Sequence, residues 1–228
     1  MTEAACSWYI SRTLERGSMK NKASVVSLIA VGLAVVLGCG RLTQQITNEA
    51  PTIGSDRSDT FSLKGKEWRP YELPRSDIKV ELPGEPSDKS PSPAQLPPGY
   101  KEVFSGMSVH AYDEKEFGSS YSQLEPTGKR SFTIKELADT SMTALKRQAP
   151  DLNYTLDVTS DTKAKYNGTF TRNGKSFELK GCCIYQKAKP FRVWAVITVY
   201  PKDHADGKTA SERIIDSVSF SGSSEECN

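Results

Sequence analysis

Histidine is scarce in this chain of 228 residues, with two copies, His110 and His204. Such scarcity limits imidazole acid–base and metal chemistry to two places, and neither residue sits in a ligand motif. Also missing are Gly-x-Gly-x-x-Gly, a Walker loop, His-Glu-x-x-His and Gly-x-Ser-x-Gly, the short patterns that mark a dinucleotide, a nucleotide phosphate, a zinc ion or a serine nucleophile. No cofactor and no metal are therefore expected. The main apolar run, Ala23 to Leu37, has 15 residues, short of the roughly 20 that a membrane-spanning helix needs. An excess of charge is absent as well. The formal charge is +2, from 30 basic and 28 acidic residues. Residues 1–38 hold four of the bases and two of the acids, so the remainder carries 26 of each. A neutral protein offers no footprint for a nucleic-acid backbone, and nucleic acid is set aside as a partner.

What is present begins at Met19. The chain reads Met-Lys-Asn-Lys, then the apolar run, then Gly38-Cys39-Gly40. A positive segment followed by a short apolar one is the layout of a secretory signal peptide. The four residues Val36-Leu37-Gly38-Cys39 resemble the lipobox of bacterial lipoproteins, with an aliphatic residue three before the cysteine and a small one just before it. The chemistry fits each position. A thiol can form a thioether with a diacylglyceryl group, and Gly38 leaves the Gly38–Cys39 bond open to a peptidase. A cysteine carrying two or three acyl chains anchors firmly where a single chain would not, since each buried methylene contributes about 0.8 kcal/mol. Cys39 is thus the expected lipidation site and first mature residue, on the extracytoplasmic side of a membrane. Residues 1–18 fall outside the pattern and read as an extension from a start assigned too early, with Met19 the expected true start.

Residues 39–67 are polar and poor in aromatics, the composition of a tether between the lipidated cysteine and a folded part. A domain is expected over 68–220, long enough to bury a sizeable core, with 221–228 as a tail. Ile78, Val80 and Leu82 alternate with Lys79 and Glu81, which predicts a strand over Ile78 to Leu82. Six prolines between Pro83 and Gly99 predict an exposed excursion. Further strands are expected at Tyr100 to Phe104, Met107 to Tyr112 and Ser119 to Leu124, with a turn over Asp113 to Gly118. Thr133-Ile-Lys-Glu136 is a capping box, and Ile134, Leu137, Ala138, Met142, Leu145 and Ala149 recur at helical spacing up to Pro150. Strands then follow at Tyr154 to Thr159, Lys163 to Tyr166 and Thr169 to Arg172. Asn173-Gly174 is a two-residue hairpin signal leading into Lys175 to Gln186. Phe191 to Tyr200 is apolar on both faces, as in a central strand covered on both sides. A helix from about Lys208 to Ile215 and a strand from Val218 to Phe220 complete the order.

That order, with Ile78-Lys-Val-Glu-Leu-Pro-Gly-Glu-Pro86 near its start and Ser217 to Phe220 at its end, resembles the PsbP-like superfamily of exported bacterial and photosynthetic proteins. The resemblance covers roughly 68–220. It implies an α+β fold in which an antiparallel sheet has helices packed on its faces, an α/β/α sandwich, and a role in binding or assembly more often than catalysis. No metal-ligand motif transfers.

The remaining candidates are thiols and histidines. With Cys6 removed and Cys39 lipidated, Cys182, Cys183 and Cys227 remain. Period-two alternation places Cys183 with Phe177, Leu179 and Tyr185 on a buried face, and Cys182 on the opposite one. A Cys182–Cys227 disulfide is the expected pairing in an exported chain. His110 shares its strand face with Ser108 and Tyr112, so it could line a shallow groove. His204, with Asp203 and Asp206, falls in a loop that lacks the closing glutamate of a calcium site. Two functional expectations follow. One is a noncatalytic envelope lipoprotein whose domain binds an unidentified protein or envelope partner; the other is an extracytoplasmic thiol-dependent or hydrolytic enzyme using Cys182 and His110.

Overall fold

The structure is a computed structural model and describes residues 61–92, 96 and 100–228. In chain order its elements are β1 (Arg69–Glu72), β2 (Ile78–Leu82), β3 (Ser87–Asp88), α1 (Tyr100–Val103), β4 (Phe104–Glu114), β5 (Phe117–Pro126), α2 (Ile134–Lys146), β6 (Asn153–Val158), β7 (Lys163–Arg172), β8 (Lys175–Gln186), β9 (Arg192–Pro201), α3 (Ala205–Ser217) and β10 (Ser219–Phe220). They form an α+β fold built on two antiparallel sheets. The larger has seven strands in the order β3-β4-β5-β9-β8-β7-β6, and the smaller has three in the order β1-β2-β10.

Strand β9 sits between β5 and β8, and its residues from Val193 to Tyr200 are all buried. Its apolar character on both faces has this cause, because both faces of the sheet are covered. On one face Val193, Ile197 and Val199 join Leu179, Cys183, Tyr166 and Phe170 in a core closed by Leu137, Ala138, Met142 and Leu145 of α2. On the other, Trp194, Val196 and Tyr200 join Cys182, Ile184 and Tyr121 in a core closed by the small sheet and α3, through Ile78, Val80, Leu82, Ala210, Ile214 and Phe220.

The local signals explain the elements that carry them. Helix α2 begins at a formed capping box, with Glu136 N–H donating to Thr133 Oγ1 at 3.2 Å and Thr133 N–H donating to Glu136 Oε2 at 2.9 Å. Its stripe of Ile134, Leu137, Ala138, Met142 and Leu145 is buried, and the helix ends at Lys146, ahead of Pro150. Asn173 and Gly174 both take positive φ, 51° and 74°, the turn that joins β7 to β8 without splaying them.

Several expectations are corrected. Tyr100 to Phe104 does not form a strand: Tyr100–Val103 is a helical turn that aims Tyr100 and Phe104 together into the core, ring centroids 5.3 Å apart, and leaves Lys101 and Glu102 exposed. A strand would have placed Glu102 on the buried side with them. The turn expected over Asp113 to Gly118 shrinks to Lys115-Glu116, and the breaks expected in the Lys163 to Arg172 region are absent, since β7 pairs with β8 without a register shift. Helix α3 starts three residues early because His204 caps it. The strands expected first and last do not join the main sheet. Instead β10 pairs with β2 (Ser219 opposite Lys79), and β1, which carries no alternation in its Arg-Pro-Tyr-Glu sequence, takes the other side of β2. Residues 61–67, expected as part of the tether, belong to the folded part, for Phe61 is 1% exposed and stacks on Phe117 at 4.7 Å between ring centroids.

Candidate functional site

Gly38 and Cys39, the expected cleavage and lipidation residues, lie outside the described residues. Among the described residues no helix is long and apolar enough to cross a membrane.

The thiols separate as their alternation requires. Cys183 faces the α2 side and is buried, and burial pushes its thiol up to about 12, so it is not a thiolate at neutral pH. Cys182 faces the small-sheet side and is joined to Cys227 in a disulfide, Cα–Cα 5.5 Å, across a separation of 45 residues. Two contacts hold the tail beside it: Thr162 Oγ1 donates to Glu225 Oε1 at 2.9 Å, and Lys163 Nζ donates to the Asn228 carbonyl at 2.7 Å.

His110 lies on the same face as Cys182 but does not reach it. The register runs His110 to Tyr121 to Val196 to Cys182 across four adjacent strands. Three strand spacings separate the two residues, about 14 Å. The Cys182–His110 pair of the second functional expectation is therefore not brought together, and the Cys182 sulfur is already bonded. His110 is 1% exposed, which removes the shallow groove as well. Its Nε2 donates to the Pro74 carbonyl at 2.9 Å. Burial depresses its pKa below the usual histidine value, and the Pro74 hydrogen bond and the Asp88 carboxylate only partly oppose that, so the neutral ring is the folded form.

Pro74 belongs to the turn between β1 and β2, and a second polar contact pins that turn nearby. Gln123 Oε1 accepts from the Asp77 backbone N–H and from the Trp194 indole N–H, both at 2.8 Å. Arg192 Nε donates to Asp77 Oδ2 at 3.1 Å, and its guanidinium lies 3.6 Å from Glu125. This cluster fastens the small sheet to the large one. The period-two pattern places His110 and Ser108 on one face and carries no signal for the turn that meets His110.

His204 is the N-cap of α3, its Nδ1 accepting from Gly207 N–H at 2.9 Å. Asp206 does not wait for a cation. Its Oδ2 accepts from Leu63 N–H at 2.8 Å and from Ser62 Oγ at 3.3 Å, tying the segment before β1 to the helix start. Among the described residues no group of three or more His, Cys, Asp or Glu side chains is placed to hold a metal. One open, shallow depression is lined by Glu81, Thr209, Glu212, Arg213, Asp216 and Ser217. Its cation is committed, because Arg213 lies 3.0 Å from Glu81 and 4.3 Å above the Trp68 ring.

No family model matches the chain, and no curated protein matches it in sequence. Among solved structures it is similar to LpqN, a protein involved in cell envelope biogenesis of Mycobacterium tuberculosis, with 10% identity over 71% of this chain and 98% of that one and a TM-score of 0.36. It is also similar to PA94, a protein of unknown function from Pseudomonas aeruginosa, with 12% identity over 64% and 91% and a TM-score of 0.32. Likeness at these values carries no argument about what this chain does.

Proposed function

We propose that this chain is a membrane-anchored envelope lipoprotein whose domain, PsbP-like in its order of elements, is a noncatalytic module that binds a protein or envelope partner on the extracytoplasmic side. The observation that carries the reading is the leader, Met19-Lys-Asn-Lys followed by the apolar run and Val36-Leu37-Gly38-Cys39. The state of the reactive side chains supports the noncatalytic half: Cys182 is bonded, Cys183 is a buried thiol, His110 holds a turn and His204 caps a helix.

Replacing Cys39 by alanine tests the anchor. The variant is expected to lose incorporation of labelled fatty acid and to keep its uncleaved leader, read by mass. Unchanged labelling of Cys39→Ala would overturn the anchor. The noncatalytic half has its own test, in envelope-linked phenotypes of Cys182→Ser and His110→Ala. It fails if each variant abolishes function while remaining folded. Crosslinking in the intact envelope, followed by recovery of the chain, would identify the partner.

A further inference from the structure

Strand β6 ends the seven-stranded sheet, and it is unlike the other edges. β3 and β10 are two residues long, and β1 carries Pro70 together with the charged Arg69 and Glu72 at its two ends, the devices that discourage strand addition. β6 has six residues, Asn-Tyr-Thr-Leu-Asp-Val, with no proline, no lysine and no register shift against β7. At its end stands Val158, 43% exposed and the exposed large hydrophobic side chain of the described residues.

The direction of its backbone groups follows from two hydrogen bonds. Thr159 N–H donates to the Lys163 carbonyl at 3.1 Å, in the same register as the β6–β7 ladder. On the β7 side, Thr171 N–H points towards β6 and meets Asp151 Oδ2 at 2.7 Å. Because alternate residues of an antiparallel strand aim at opposite neighbours, Asn153, Thr155 and Asp157 share the inward orientation of Thr159. Tyr154, Leu156 and Val158 therefore present N–H and C=O groups outwards.

We infer that this edge pairs with the β6 edge of a second copy of the chain, antiparallel and about a two-fold axis through Leu156. In that register Leu156 faces Leu156 of the other copy and Tyr154 faces Val158 twice, so the three outward residues of each copy exchange every outward hydrogen bond. The side chains of Tyr154 and Leu156 already pack against the α2-side core, and the pairing lays exposed Val158 on the partner's Tyr154. On the opposite face Asp157 meets Thr155, a carboxylate against a hydroxyl, and no like charges oppose each other. The sheet becomes continuous across two copies. A short edge buries little area, so the dimer is weak and concentration-dependent.

The test uses the full chain in detergent, with Cys6→Ser and Cys39→Ser so that the added thiols are the reactive ones. Sedimentation over a concentration series is expected to move from one copy towards two. Val158→Pro removes an outward donor without touching the β7 ladder and should hold the chain at one copy; Val158→Lys, which leaves the backbone intact, should do the same if the proline variant does not fold. Thr155→Cys mixed with Asp157→Cys should form an oxidised crosslinked dimer several-fold more than either variant alone. A chain that stays monomeric throughout overturns the inference. So does a dimer that both Val158 variants leave unchanged, or an edge that captures a strand from a different protein instead.

Discussion

One face of the seven-stranded sheet is closed chiefly by one helix, α2, with Tyr100, Phe132 and Leu152 beside it, whereas the other is closed by pieces from both ends of the described chain. On the first, α2 supplies its stripe within 13 residues of sequence. On the second, Phe61, β1, β2, α3, β10 and Cys227 converge from positions up to 166 residues apart. The contrast shows two ways of burying similar apolar surface. A local cover forms with little loop closure, while a composite cover depends on ordering many segments at once and on the fastenings between them.

Four substitutions sharpen that contrast. Trp194 fills the composite side and hydrogen-bonds Gln123, so Trp194→Ala should cost about 3 to 5 kcal/mol, more than Met142→Ala on the helix side, measured by denaturant unfolding. Hydrogen exchange should then show the small sheet opening first. An equal loss at both sites, with no early opening, would erase the distinction. Cys227→Ser releases the tail and should cost about 2 to 4 kcal/mol, given a loop closed across 45 residues. The equivalent local change on the helix side is Thr133→Ala, which removes the cap and should cost about 1 kcal/mol.

The smallest effect is a pH dependence confined to the composite side. His110 is neutral when folded, with its pKa below that of the unfolded chain. As pH falls through the unfolded value near 6.5, the unfolded state takes up a proton first, so stability declines until the folded ring also protonates. Above that range the residue adds no slope. His110→Gln should flatten the decline in unfolding free energy between neutral and mildly acidic pH, and a slope that persists in the variant would place its origin elsewhere.

The same division governs what the sequence revealed. The capping box, the Asn173-Gly174 turn, β2 and β8 were legible because their information is local: a period, a cap, or a pair of residues that tolerate positive φ. The alternation also separated Cys182 from Cys183. The small sheet was not legible as a separate layer, because β10 finds β2 across 140 residues and β1 has no periodic signature. The sequence places His204 only in a loop ahead of a helix, since an imidazole cap has no pattern around it. Phe61 was missed for a related reason. A single aromatic in a polar stretch has no period, and only the fold shows it seated on Phe117.

That seat has a mechanical meaning. Tension arriving along the chain from residues before 61 meets Phe61, and then Asp206 holding Leu63, before it can reach β1. The pull is borne by the β4–β5 hairpin and the first turn of α3, both braced by the large sheet. Strand β1, four residues long and paired on one side, is spared from being peeled off bond by bond.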